Sequence, residues 1–343
     1  MPPSITVVAF LIAQTWSAYD FAHAQSATQP APEFYRGKTV SVLVGFSVGG
    51  GFDLYARALA RHLGRQLPGN PTVVIQNMPG AGSLKSVDYL FQVAPRDGTL
   101  IGTFSHTVPI EPLLGHAKFD PRQLEWIGSM AAETSVCLAW HRSPVKSWDD
   151  MRHRPFTIGG TGRGSDTDMF ANLFKSVFGL PLRLVTGYPG TSEMALATER
   201  GELDGFCGIF YSTLVTRHDA WMAGAKVNIL VQAGLRKDAS LPSVPNVLDY
   251  ARDERERQIL MLLIAPQTMA RPFAMPPGTP KPRVEAMRRA FEATLADPVF
   301  LADAKAAKVD VSPVSAAEIE GLIDQLYRTP EDVLRQAVAA LGG

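Results

Sequence analysis

Four glycine-rich turns carry most of the chemistry that the residue types of this chain allow. The first is Gly45-Phe46-Ser47-Val48-Gly49-Gly50-Gly51-Phe52-Asp53, between an apolar, β-branched run at 39–46 and a helical-period stretch that opens at Asp53. Successive glycines cost chain entropy, so they belong where backbone takes positive φ or lies against another group. Here their amides would converge with a helix N-terminus into a concavity for an anion. The plainer reading is a tight strand-to-helix turn, for which one glycine would serve. A second turn is Asn77-Met78-Pro79-Gly80-Ala81-Gly82-Ser83, a third runs from Gly159 through Gly162, Gly164 and Ser165 to Asp166, and a fourth is Gly187-Tyr188-Pro189-Gly190-Thr191. Each follows a strand pattern and precedes a helical one. In parallel sheets such loops gather on one edge, where ligands bind. Charge-assisted hydrogen bonds of about 1.5–3 kcal/mol each, from amides and hydroxyls, then reach the roughly 8 kcal/mol of a micromolar carboxylate site without a buried arginine.

Gly45-Phe46-Ser47-Val48-Gly49 also fits G-x-S-x-G in the strand-turn-helix setting of a nucleophile elbow, so a secreted serine hydrolase using Ser47 is the alternative. Against it, Ser47 follows the first strand, whereas hydrolases of that architecture place several strands before the serine. None of His106, His116, His141, His153 and His218 sits in a context that marks it as the base. No full G-x-G-x-x-G starts at Gly49 or Gly160, because Leu54 and Ser165 hold the sixth positions. Gly37-Lys38-Thr39 ends like a P-loop, but Pro32 stands where the first glycine belongs. The histidines lack metal-ligand spacing, and no cofactor is implied.

Such turns need an alternating frame. The spacing predicts strands over 39–46, 72–76, 99–104, 134–140, 156–159, 182–186, 203–210 and 227–232. Between them it predicts helices from 53, over 83–93, 167–178, 192–200 and 212–223. This alternation predicts mainly parallel sheets. Six prolines between Pro266 and Pro282 mark a long extended passage over the surface. Helices follow over 283–295, over 298–307 behind the cap Asp297, and over 316–326 behind a capping box of Ser315 with Glu318.

The bulk numbers narrow the class. A chain of 343 residues is near the size at which chains divide into two domains. With 33 basic and 33 acidic side chains it has no basic excess for nucleic acid, and its densest charge run, 252–257, alternates in sign. The apolar run at 5–13 is too short to cross a bilayer, and Ala22-His23-Ala24 after it fits signal-peptidase cleavage. The expectation is a signal peptide at 1–24 and a tether at 25–33, although no Lys or Arg precedes the apolar run. No later segment approaches ~18 apolar residues. Cys137 and Cys207 sit in strand-like apolar runs, where a disulfide and two buried thiols both remain open.

One set of motifs recurs in order along the chain: Phe46 with Gly49-Gly50-Gly51 and Asp53, Asn77 with Pro79-Gly80-Ala81-Gly82, and Asp97-Gly98-Thr99-Leu100. Gly162 with Gly164 and Ser165, Tyr188 with Gly190, Gly201 with Asp204, and Pro277-Gly278-Thr279-Pro280 complete it. In these residues the chain resembles the substrate-binding proteins of tripartite tricarboxylate transporters. The resemblance implies an α/β, type II periplasmic-binding-protein fold with a ligand cleft between two lobes. Lobe one would be 34–125 plus 232–343 and lobe two 126–231, with a hinge at crossover strands near Trp126 and Gln232. It further implies a monomeric periplasmic receptor, not an enzyme, that hands a di- or tricarboxylate, acidic amino acid or aromatic acid to membrane subunits.

Carried over residue by residue, Phe46, Ser47, Gly50, Gly51, Ala81 and Gly82 would line the cleft from lobe one. Gly164, Ser165, Asp166, Tyr188, Gly190 and Thr191 would line it from lobe two. The resemblance implies that Asp53 can meet a ligand amine, but it also reads as an N-cap, and Tyr188 beside Pro189 also reads as a loop-packing ring. Ser47 and Val48 stand where the family has proline or alanine, and Phe52 where it has Thr or Ser. That larger apolar wall suits an aromatic or longer-chain acid.

Overall fold

The computed structural model describes residues 31–341. The expected signal peptide at 1–24 lies outside the described residues, as does the tether at 25–33 except for its last three residues, which open the helix Ala31–Tyr35.

Two sheets form the frame. In chain order the strands are β1 (Thr39–Val44), β2 (Thr72–Asn77), β3 (Leu100–Thr103), β4 (Glu125–Ser129), β5 (Ser135–Trp140), β6 (Phe156–Gly159), β7 (Leu182–Val185), β8 (Gly205–Phe210), β9 (Val227–Ala233), β10 (Pro272–Met275) and β11 (Val314–Ser315). The first sheet has the order β11-β4-β10-β3-β1-β2 and the second β7-β6-β8-β5-β9. β1 pairs in parallel with β2 and β3, and β6 with β7 and β8. Antiparallel strands then enter both sheets: β10 between β3 and β4 and β11 at the edge beside β4 in the first, and β5 between β8 and β9 in the second. The sheets are therefore mixed rather than mainly parallel, because the strand that arrives from the other lobe runs against its neighbours. β10 is fully buried where the prolines predicted a surface passage, because it fills the place between two strands of the first sheet. β5 and β8 are buried along their whole length, as apolar strands covered on both faces must be.

The chain passes between the sheets from β4 to β5 and again from β9 to β10. The expected division after Glu125 runs through β4, which hydrogen-bonds to β10 and β11 in the first sheet. Beyond Gln232 the division is not simple either. Ile259, Leu260 and Leu263 of the helix Glu254–Ile264, with Val333 and Ala337 of the helix Glu331–Ala340, share a core with Phe156, Phe170 and Phe174 beside the second sheet. The expected helix over 212–223 is two helices, Tyr211–Arg217 and Asp219–Ala223. Cys137 and Cys207, left open by the sequence, are joined by a disulfide between neighbouring strands β5 and β8. No helix of the described residues is long and apolar enough to cross a membrane.

Candidate functional site

The turns after β1 and β2 belong to the first sheet, and those after β6 and β7 to the second. They meet directly. Gly82 N donates to Thr161 O at 3.0 Å, Ser47 N to Pro189 O at 3.2 Å, and Thr107 Oγ1 to Gly164 O at 2.8 Å. Side chains add to the seam: Ser47 Oγ donates to Glu193 Oε2 at 2.8 Å, and Arg217 Nε to Gly49 O at 2.9 Å.

Close approach explains the composition of these turns. A Cβ on Gly82 would lie 2.6 Å from Gly164 C and 2.7 Å from Gly162 O, across the seam. The four residues Gly80, Ala81, Gly82 and Ser83 all have positive φ, at 142°, 48°, 61° and 79°. Two of them carry side chains, a strained arrangement of the kind that collects at ligand clamps. Part of the compensation is visible: Ser83 Oγ accepts from Ser105 N at 2.9 Å, and Ser83 O accepts from Ser86 Oγ at 2.7 Å.

Behind this seam a cavity of about 30 Å³ lies between the lobes, lined by Phe46, Gly50, Gly51, Asp166 and Thr191 of the expected set. Such a space holds one or two waters, so a larger guest has to part the lobes. Three helix N-termini point at it. The helix Gly51–Gln66 is preceded by Gly50 and the helix Thr191–Glu199 by Gly190, neither with a side-chain cap, so their first-turn amides lack a side-chain acceptor. The helix Asp166–Phe178 is capped by Ser165, whose hydroxyl accepts from Asp168 N. Unsatisfied amides together with helix dipoles favour an anion there.

The other expected residues take different places. Ala81, Gly82 and Gly164 form the seam, and a Cβ on Gly190 would collide with Ser47 Oγ. Ser165 Oγ donates to Gly162 O at 2.7 Å and shapes its own turn. Tyr188 packs against a core cluster that includes Val136 and Trp140. Asp53 faces the turn rather than the cavity. Its Oδ2 accepts from Gly49 N at 2.9 Å and Arg57 Nε at 2.8 Å, and its Oδ1 accepts from Asn77 Nδ2 at 3.0 Å. Burial works to raise its pKa, but those three hydrogen bonds hold it below the ordinary aspartate value. It is the third residue of its helix, and Gly50 occupies the cap.

The sequence reading missed Arg271, which also lines the cavity. It is 1% exposed and ion-paired through Nε with Glu133 Oε1 at 3.0 Å. Its Nη2 donates to Thr213 Oγ1 at 2.9 Å, and its guanidinium lies 4.4–4.8 Å from the ring centres of Tyr55, Phe210 and Phe52. The affinity arithmetic asked for no buried arginine, yet one is present. A signal was available: Arg271 is the one charge in Met269-Ala270-Arg271-Pro272-Phe273-Ala274-Met275. A charge inside such a run needs a buried partner. Thr161, Thr167, Gly208, Ile209, Phe210 and Thr213, likewise not assigned, complete the wall with Phe52.

Two more titratable groups stand nearby. Burial raises the Asp166 carboxyl to about 7, against the pull of Arg271 and of the Asp166 and Thr167 amides. His106, fully buried against Phe210, is pushed down to about 3 by burial and by Arg271, so its ring is neutral near pH 7. The hydrolase alternative gains nothing from this geometry. Ser47 Oγ is bonded to a carboxylate, and no histidine among the described residues hydrogen-bonds to it.

Two α/β lobes joined by two crossings, with helix N-termini facing across a cleft, have the fold of periplasmic binding proteins. Residues 55–336 match the tripartite tricarboxylate transporter family receptor, and the chain belongs to that family. Its solved structural neighbours agree on the fold. The periplasmic binding protein BugD superposes with a TM-score of 0.71 at 20% identity, covering 88% of this chain and 98% of BugD. MatC from Rhodopseudomonas palustris, with bound malate, gives 0.67 at 18% identity, covering 87% and 99%. A second R. palustris protein, with adipate, gives 0.68 at 18% identity, covering 88% and 97%. No curated protein matches the chain.

Proposed function

We propose that this receptor captures a small carboxylate between its lobes in the periplasm and presents the closed, loaded form to the membrane subunits of a tripartite transporter. The observation that carries the reading is the inter-lobe cavity, where uncapped helix N-termini from both lobes and the buried Arg271 converge. It offers converging hydrogen-bond donors, which is what a carboxylate requires. Malate and adipate, named with two neighbours of the same fold, are both dicarboxylates. Phe46 stacked on Phe52 at 4.7 Å, with Phe210 beyond, supplies an apolar wall for the carbon skeleton.

Ligand first meets the first lobe, at the turn that Asp53 braces. Rotation at the passages β4 to β5 and β9 to β10 then brings the second lobe onto it. No step uses Ser47 as a nucleophile.

The test is a thermal-shift panel of malate, adipate, succinate, citrate, glutamate and benzoate. A ligand at 100 times its dissociation constant should stabilise by about 2.7 kcal/mol, a rise of several degrees in a chain of this size. A panel in which no acid raises the melting temperature between pH 5.5 and pH 8.5 would remove the proposal.

A further inference from the structure

We propose that carboxylate capture takes up one proton at Asp166, which as a neutral acid donates a hydrogen bond to the ligand carboxylate while Arg271 Nη1 pairs with it. The inference rests on the carboxylate reading above and adds a second, separable property.

The geometry sets the charge balance. Arg271 commits Nε to Glu133 and Nη2 to Thr213, with Ser212 Oγ a further 3.5 Å contact. Nη1 has no protein acceptor among the described residues, and it lies 2.9 Å from where a Cβ on Gly51 would stand, beside the uncapped helix N-terminus. Glu133 is 4% exposed and already neutralises this arginine. On the facing lobe Asp166 is 6% exposed, lines the same cavity and has no ion-pair partner within 4 Å among the described residues.

Besides Arg271, only the Asp166 and Thr167 amides favour the charged form, and no second cation faces it. On its own helix, Asp168 repels it. From the turn after β3, His106 is uncharged near pH 7. From the helix Gly51–Gln66, the Tyr55 phenol is neutral because burial pushes it above its ordinary value, and Asp53 is turned towards Arg57. An ionised Asp166 would leave an arriving carboxylate facing two carboxylates and one cation in a site of low dielectric. A neutral Asp166 removes one of the anions and supplies an O–H donor, with the proton drawn from solvent.

The position of Asp166 near 7 puts this exchange in the working range. Its pKa is raised, so the proton is held below about 7 and lost above it, and anion binding weakens as pH rises through that value.

The experiment is titration calorimetry on the protein, with malate and adipate as probes, between pH 6 and pH 9 in two buffers of different ionisation enthalpy. The expected result is an affinity that falls by up to about tenfold per pH unit above pH 7, with about one proton taken up per ligand at pH 8. In Asp166→Asn, which keeps a donor but cannot titrate, both the slope and the proton uptake disappear. A parent affinity constant from pH 6 to pH 9, or a slope that survives in Asp166→Asn, overturns the inference while leaving the carboxylate reading in place. Affinity that rises with pH for glutamate but not for adipate would assign Asp166 to a ligand ammonium and also overturn it. Absence of any binding at every pH sinks the carboxylate reading, and this inference with it.

Discussion

Arg271→Met should lower stability by about 3–5 kcal/mol, measured by chemical denaturation, because it leaves Glu133 as an uncompensated charge inside the protein. The size of the effect follows from the surroundings rather than from the ion pair itself. Both partners are almost wholly withdrawn from water, and the guanidinium is enclosed by Phe52, Tyr55 and Phe210. Arg271 also ties the lobes' connections together. Its amide donates to Ser129 Oγ at the end of β4, its Nε reaches Glu133 in the passage to β5, and its Nη2 reaches Thr213 beyond β8. The control is the double replacement Arg271→Met with Glu133→Gln. Removing both charges should recover most of the loss, because a buried pair exchanged for neutral groups is far less costly than a pair broken on one side. A single variant as stable as the parent would show that water reaches Glu133 and that the pair is not buried in solution.

Gly82→Ala should weaken carboxylate binding by at least about 100-fold while changing stability by only about 1–2 kcal/mol. The stability term is the ordinary strain of a non-glycine residue at a φ of 61°. The binding term comes from the other lobe. The new methyl would collide with Ser165 N and lie within 2.7 Å of Gly162 O and Gly164 C, all on the facing turn. These are backbone atoms and cannot swing aside, so the seam stays open and the ligand loses the donors of the second lobe. Two lost charge-assisted hydrogen bonds suffice for a hundredfold change. Calorimetry and denaturation on the same preparation separate the two terms. Equal losses in both would mean that the turn matters only for folding.

How far the sequence carried this account depended on whether a feature was local. The capping box of Ser315 with Glu318 is hydrogen-bonded in both directions, because all its atoms lie within one turn. The glycine turns were legible because their composition has a direct backbone cause. β4 was not: Glu125-Trp126-Ile127-Gly128-Ser129 has no clean alternation, and it is a strand because β10 and β11 flank it. The helix Glu254–Ile264 was not predicted, since the partner of its apolar half, the helix Glu331–Ala340, lies far along the chain. Arg271 and Glu133 are separated by 138 positions, so no window of sequence contains both. Asp53 shows a different limit. A carboxylate at that position can meet a ligand or the Gly49 amide, and only the backbone path decides between them.

The central claim is that backbone donors of two opposing lobes, with Arg271 beneath them, hold the ligand's negative charge. A crystal structure of the protein with the most stabilising acid of the panel tests it most directly. The account predicts a carboxylate oxygen within about 3 Å of the amides at Gly51 or Thr191 and of Arg271 Nη1, with both lobes in contact with the same molecule. A ligand bound outside the cleft, for example beside Arg236 and Lys237, with Arg271 Nη1 left untouched, would contradict it.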